Sequence, residues 1–471
     1  MTADQKLQKV KKLGSIRGVD LDKSWQEIVP DEHFDWINQR DDSFDGFIAI
    51  GDKKSAESPA AFSTFSRGLA TSRDAWCYGF SRDGLERKMN ATIAVYRSEL
   101  ERWEKAKDVP DVNSFVTSDS TKISWNRGLK NDFAKGKKLT YKPQCVVICC
   151  YRPFTKQWGY FDRDFNDMVY RMPKIFPITG SDNQAIVLPG PGEDRPFSTL
   201  ICGSVPDLHF LHGGQAFPLY WYGSGNDTLA LFENEKSLRH SSITSHCVSR
   251  FQNEYVAANV AQEDLFYYIY GLLHSPEYRE RYKDNLSKEL PRIPAVKKFE
   301  DFQAFSQAGR DLAHWHLDYE TVDCYPATIQ LADGSSGEVD KRGAKHDKLL
   351  KKLTDDRFYV RRMKFAKTKD PATGKTVHDR STVIYNDFIT VKNIPLDAYD
   401  YVVNGKSAIE WVIERQAVTT DKDSGIVNDA NLWATETMNN AAYPLELLLR
   451  VINVSLETNK IVSHLPKLVI A

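Results

Sequence analysis

The spacing of apolar positions divides the chain. Leu85, Met89, Ile93, Tyr96 and Leu100 recur every three or four residues, which predicts a helix over 83–106. Between 141 and 222 the pattern changes to short apolar runs punctuated by Pro and Gly: CVVICCY, QWGYFD, QAIVLP, STLICG and HFLHGGQAFPLYWY. Such runs predict a β-dominated lobe. Helical patterns return at Glu263–His274, which is apolar on most faces, and restart at Ser275-Pro276, with Ser as N-cap and Pro at the first helical position. The second of these, EYRERYKDNLSKEL, is highly charged and stops at PRIP. A third pattern spans 298–317 through Phe299, Phe302, Phe305, Leu312 and Trp315. Residues 326–400 read as mixed strand and turn, and helices are expected from Ser407 to Ala417 and from Pro444 to Leu465. Residues 1–50 read as a lead-in, basic at its start and mostly loop. No internal repeat is long enough for a solenoid.

Composition narrows the class. At 471 residues the chain exceeds one typical core, so two to four domains or subdomains are expected. Seven Cys, an odd number without paired spacing, fit buried positions in a reducing compartment better than disulfides or a metal site. The charged start MTADQKLQKVKKLG is unlike a secretory signal, and no uncharged apolar run approaches membrane-spanning length.

Charge is balanced overall, with 63 Lys or Arg and 64 Asp or Glu, but not locally. From Thr121 to Lys174 there are twelve basic residues against four Asp, and from Lys341 to Lys364 ten against three. Concentrated positive charge is suited to a polyanion, because phosphate contacts dominate affinity for nucleic acid. The first run also carries Trp125, Tyr151, Phe154, Trp158, Tyr160, Phe161 and Tyr170, with amides at Asn126 and Gln157 that suit base edges. A half-buried strand pair with solvated cations is the plainer reading of the same residues.

Most catalytic signatures fail. There is no G-x-S-x-G elbow, so Leu211-His212-Gly213-Gly214 reads as a tight turn between strands. There is no H-E-x-x-H, and His314 and His316 stand two apart, on different sides of a helix. Pro371–Thr376 ends like a phosphate loop, but Lys369 occupies the position of its first glycine, so a hairpin tip is the better reading. Glu86-Arg87-Lys88 has nuclease E-x-K spacing within a helical pattern. An adenine methyltransferase would need an [NDS]-P-P-[FYW] loop to hold a flipped base, and a glycine-rich cofactor turn; neither occurs.

Several motifs in order resemble one family. These are Arg67–Trp76 (RGLATSRDAW), Trp125–Asp132 (WNRGLKND), Tyr151–Gln157 (YRPFTKQ) with Tyr160–Arg163, Met172–Pro177 (MPKIFP) and Pro206–Phe217 (PDLHFLHGGQAF). Further along come Tyr268–Tyr282, Pro291–Pro294, Tyr401–Trp411 and Thr420–Asn428. Together they resemble the C-terminal specificity region of type ISP restriction-modification enzymes, which join a nuclease, an ATP-driven translocase, an N6-adenine methyltransferase and a target-recognition region in one chain.

The resemblance implies an α+β fold: a β-rich DNA-recognition lobe with helical spacer subdomains. The expected organisation is a methyltransferase-proximal lead-in with a helix (1–140), the β-rich target-recognition lobe (141–260), a helical spacer (261–325), a mixed basic segment (326–400) and a C-terminal helical segment (401–471). It further implies double-stranded DNA as partner, methyltransferase and translocase domains in cis or trans, no membrane, and a bacterial cytoplasm. No catalysis is expected of this chain alone. No cofactor is expected in it, since S-adenosylmethionine, ATP and Mg would belong to the other domains.

Candidate phosphate contacts are Lys122, Arg127, Lys130, Lys135, Lys137, Lys138, Lys156 and Lys174. Candidate base readers are Asn126, Asn131, Gln157 and Arg163, with Trp125 and Arg152 in the same surface. Arg361, Arg362 and Lys364 form a second set. Two other readings stay open: a protein-interaction adaptor, and a phosphodiesterase using Asp162 or Asp164.

Overall fold

A computed structural model describes residue 8 and residues 27–52, 60–106, 111–177, 182–193, 195–223, 238–256 and 258–471. The basic start of the lead-in lies outside the described residues apart from residue 8. The fold is α+β: several small sheets, braced by long helices, with no closed barrel among the described residues.

Two four-stranded sheets are built from strands between residues 66 and 218. Along the chain these are β1 (Ser66–Arg67), β2 (Tyr78–Gly79), β3 (Val146–Arg152), β4 (Thr155–Tyr160), β5 (Ala185–Leu188), β6 (Leu200–Cys202), β7 (Val205–Pro206) and β8 (Gln215–Pro218). One sheet runs β2-β4-β3-β7, with β3 and β7 parallel; the other runs β1-β8-β5-β6, all antiparallel. β5 is buried at every position, so it reads as a continuous apolar run and not as an alternation. The third sheet has five antiparallel strands: β9 (Thr328–Leu331), β10 (Ser336–Glu338), β11 (Lys364–Lys369), β12 (Thr376–Ile384) and β13 (Ile389–Lys392), in the order β10-β9-β13-β12-β11.

The helices follow the apolar spacing closely. α1 (Arg82–Glu104) buries Leu85, Met89, Ile93, Tyr96 and Leu100, and Ser81 caps it by accepting from the Gly84 amide. α2 is Arg127–Ala134 and α3, inside the lobe read as strand-rich, is Ser245–Glu254. α4 (Gln262–Leu272) and α5 (Phe299–Leu317) cross in close contact. Gly271 and Gly309 permit this approach: a Cβ at Gly309 would lie 1.9 Å from the Tyr267 carbonyl oxygen, and one at Gly271 2.2 Å from that of Phe305. The charged helix after Ser275 is interrupted. Its halves, Pro276–Arg281 and Lys283–Lys288, meet at Tyr282, whose buried ring anchors the break. α6 (Ala408–Arg415) opens with a Ser407/Glu410 capping box, and α7 (Tyr443–Ser463) closes the helical set.

Three apolar clusters hold these elements. The largest joins the β2-β4-β3-β7 sheet to the five-stranded sheet, α6 and α7. A second packs α3, α4 and α5 against the other four-stranded sheet. A third joins α1, α2 and the start of β3 through Met89, Tyr96, Phe133, Val146 and Phe165.

Candidate nucleic-acid interface

The hairpin YRPFTKQ is an interior element. Phe154, in its turn, has φ of 54° and a buried ring, 5.4 Å edge-on from that of Tyr319. Burial of the turn brings the flanking polar side chains inward. Arg152 donates to Asp207 at 2.6 Å and to Asp74 at 3.2 Å, and its guanidinium lies 3.9 Å from the centre of the Tyr151 ring. Burial works most strongly against the Arg152 charge, but Asp207, Tyr151, Asp74 and Tyr78 together outweigh it and hold the guanidinium above its ordinary range. Lys156 donates to Glu320 at 2.6 Å, and Glu320 also accepts from the Tyr443 hydroxyl at 2.6 Å, tying the hairpin to α7. Gln157 is 1% exposed and faces Asn428.

In this structure Arg152, Lys156 and Gln157, expected at a DNA surface, are engaged within the chain. Glu320, in the turn after α5, and Asp207, just after β7, engage Lys156 and Arg152 from within, and Gln157 is buried.

Around α2 the candidates divide by helix face. Asn126 is the N-cap: its Oδ1 accepts from the Leu129 amide at 2.8 Å, and its Nδ2 faces the Phe165 carbonyl at 3.5 Å. Trp125 donates its indole N–H to the Thr117 carbonyl at 3.1 Å and packs against Tyr96 and Phe133. Both have structural partners here, Asn126 as the helix cap and Trp125 in the packing of α1 against α2. The opposite face is open. Arg127, Asn131 and Lys135 are exposed and four residues apart, opposite buried Leu129 and Phe133, and Lys138 is exposed just beyond.

The other candidates are partly engaged. Lys137 bridges Asp132 at 2.9 Å and Asp164 at 2.7 Å; Lys130 donates to Asn113 at 2.9 Å; exposed Lys122 lies 3.3 Å from Asp119. Arg163 is exposed, and Lys174 is half-buried in the short turn Met172–Ile175.

Arg361, Arg362 and Lys364 are all exposed, along a groove of about 820 Å³ at the base of β11 and β12. Sequence reasoning missed the rest of this set. Lys367 and His378, which also line the groove, sit opposite one another on the two strands, and Lys369 opposes Thr376. The alternation K-x-K on one strand with T-x-H on the other was the available signal. Pro371–Thr376 lies at the hairpin turn, as a tip should.

The groups that suggested chemistry are engaged in other ways. Asp162 and Asp164 both lie against Lys142, at 3.1 and 3.3 Å, so the pair is neutralised from within. Lys88 of E-x-K donates to the carbonyls of Ala75 and Tyr78, at 2.8 and 2.5 Å. His316 is buried while His314 is exposed against Asp318. Gly213 has φ of 59° in a turn closed by the Gly214 amide donating to Leu211. One described trio, Glu32, His33 and Asp45, brings three potential metal-ligand atoms within 4.8 Å of one another, on an exposed surface that ordinary ion pairing explains. No described helix is long and apolar enough to cross a membrane.

A family model and two solved structures point to one family. The model of the type ISP C-terminal specificity domain matches residues 60–447. A nuclease-deletion mutant of the type ISP restriction-modification enzyme LlaGI, in complex with a DNA substrate mimic, is 32% identical with a TM-score of 0.79, over 100% of this chain and 38% of that one. The ATP-dependent type ISP enzyme LlaBIII bound to DNA is 33% identical with a TM-score of 0.79, over 99% of this chain and 27% of that one. A DrdV–DNA complex is 29% identical with a TM-score of 0.75, over 97% and 42%. The chain thus spans well under half the length of each of these structures. No curated protein matches it. Since the family model covers most of its length, the chain belongs to the type ISP C-terminal specificity domains.

Proposed function

We propose that this chain recognises a specific sequence in double-stranded DNA, as the target-recognition part of a type ISP restriction-modification system. The observation that carries this reading is the match along 99–100% of the chain to two type ISP enzymes whose structures hold DNA or a DNA mimic. Two exposed basic surfaces support it: the α2 face of Arg127, Asn131 and Lys135 with Lys138 nearby, and the β11–β12 hairpin with Arg361 and Arg362. Cations there would neutralise phosphates and fix register, and planar or cationic tips would reach base edges. The helical segments act as spacers that hold the recognition surface against methyltransferase and translocase domains, in cis or in trans. S-adenosylmethionine, ATP and Mg belong to those domains.

The test is selection of the purified chain against a random duplex library at two salt concentrations. An enriched motif that survives the higher salt supports the reading, because specific contacts resist salt better than phosphate contacts alone. Retention without a motif, or no retention at low salt, overturns it.

A further inference from the structure

The hairpin of β11 and β12 stands apart from its own sheet. β12 pairs with β13 only through Val383 and Ile384, and β11 is the sheet edge. From Ala366 and Asp379 outward, the two strands therefore form a free two-stranded ribbon, set off from the sheet by a register shift between Phe365 and Ala366. No described residue covers it: Lys367, Thr368, Lys369, Thr376, Val377 and His378 are all exposed. An isolated hairpin is marginal in water, and an uncovered strand edge is a liability, so a ribbon left in this condition calls for a reason outside the core.

Its two faces differ chemically. Alternate residues along a strand share a face, and directly opposed residues point the same way. Lys367 with His378 and Lys369 with Thr376 therefore make a cationic face. Ala366 with Asp379 and Thr368 with Val377 make the other, which carries no cation. The two acids of the hairpin are committed locally. Asp370 accepts from the Ala372 amide and the Thr373 hydroxyl, both at 2.8 Å, and Asp379 accepts from the Ser381 amide at 3.0 Å and its hydroxyl at 2.6 Å. The cationic face continues at its base into the groove flanked by Arg361, Arg362 and Lys364.

We propose that this ribbon enters the major groove of the target duplex, its Lys367–Lys369–Thr376–His378 face toward the base edges, while Arg361, Arg362 and Lys364 seat the adjoining phosphates. The inference rests on the DNA-recognition reading above and names the element that does the reading. A two-stranded ribbon fits a major groove about 12 Å wide, and six residues of strand reach about 20 Å. Lysine donates to the O6 and N7 acceptors of guanine, so guanine is the base this face selects. The uncharged tip, Pro371-Ala372-Thr373-Gly374, meets no phosphate repulsion of its own.

The test compares motifs selected from a random duplex library by the wild-type chain, by Lys367→Ala/Lys369→Ala, and by the opposite-face control Thr368→Ala/Val377→Ala. All three are first matched by thermal melting, and a third variant replaces Asp370–Lys375 with a two-residue Asn-Gly turn. The expected result is a wild-type motif containing guanine. In the lysine variant, preference should relax at one or two adjacent positions and affinity should fall about tenfold or more, whereas the shortened hairpin, which keeps the whole cationic face, should keep the motif. The control should keep the motif. An unchanged motif and affinity in the lysine variant, beside a wild type that selects DNA, overturns the ribbon alone and leaves its cationic face to an acidic protein surface. Uniform weakening with the motif intact also overturns it, since the ribbon then touches only phosphates. A wild-type chain that binds no duplex overturns the underlying reading instead.

Discussion

Arg152 and Asp207 form a buried ion pair, Nη1 to Oδ1 at 2.6 Å, with the Asp207 side chain only 2% and that of Arg152 12% exposed. The parallel pairing of β3 with β7 brings them together, Cys150 opposing Pro206 one residue before Asp207. Burial pushes the Asp207 carboxyl up to about 7 even beside Arg152, so removing Arg152 costs up to about 3–5 kcal/mol, less to the extent that Asp207 takes up a proton. Arg152→Ala should therefore lower the thermal midpoint sharply. The salt dependence of DNA binding by whatever remains folded should stay that of the wild type. A variant of unchanged stability whose DNA binding is lost would return Arg152 to the interface.

The α4–α5 crossing offers a second test of the framework. At Gly309 a methyl group meets the Tyr267 carbonyl at 1.9 Å, backbone against backbone, so no side-chain rotation can relieve it. Gly309→Ala should destabilise the chain by about 1–3 kcal/mol or more through forced helix separation, although alanine is the better helix former. Urea unfolding measures this directly, and a neutral or stabilising result would show that the helices do not approach so closely.

Much of this framework was legible in the sequence because helices advertise themselves by apolar spacing. α1, α5 and α7 begin and end within a few residues of their expected bounds, and the Ser275-Pro276 start is realised with Ser275 accepting from the Tyr278 amide. The interface was less legible for a physical reason. Composition counts charges but not the acids waiting behind them: Glu320 lies 164 residues from Lys156, and Asp207 55 from Arg152. Asn126 was ambiguous for another reason, since an amide that suits adenine also suits an N-cap. The hairpin at 364–384 was legible at its tip, Pro371–Thr376, but the basic face of its strands was not, because they carry few apolar residues and an uncovered ribbon has no core face to write into the pattern.

Two buried histidines should make the fold sensitive to acid. His316 exchanges hydrogen bonds with the Tyr270 hydroxyl at 2.6 Å and the Thr458 hydroxyl at 2.9 Å; His274 donates from Nδ1 to the Tyr270 carbonyl at 2.9 Å. Burial, with help from the nearby Arg279 charge, lowers both, His316 to about 3 from an ordinary 6.5. Between those values the unfolded chain binds the proton and the folded one does not. Stability is therefore fully present above about 6.5 and is lost as pH falls toward 3, at up to about 1.4 kcal/mol per pH unit for each group. Denaturant midpoints at pH 7 and pH 5 should show a smaller loss for His316→Gln than for the wild type. Equal losses would remove His316 from the account.

The exposed and the internally paired lysines should separate in the salt dependence of DNA binding. Each phosphate contact releases condensed counterions, so losing one reduces the slope of log K against log salt by about 1. Lys135, in line with the Arg127 and Asn131 face, and Lys138, just beyond the end of α2, are exposed, whereas Lys156 is committed to Glu320 and Lys137 to Asp132 and Asp164. Lys135→Ala/Lys138→Ala should therefore lower the slope by about 2 and weaken all sequences alike, leaving the selected motif unchanged. Lys137→Ala, at the same distance along the chain, should leave both slope and motif unchanged, because its charge is already neutralised by two carboxylates. Fluorescence anisotropy titrations across several salt concentrations decide it. Equal slope changes for the paired and the exposed lysines would mean that Asp132 and Asp164 release Lys137 when DNA arrives, and the interface would then extend across the acids that hold it in the free chain.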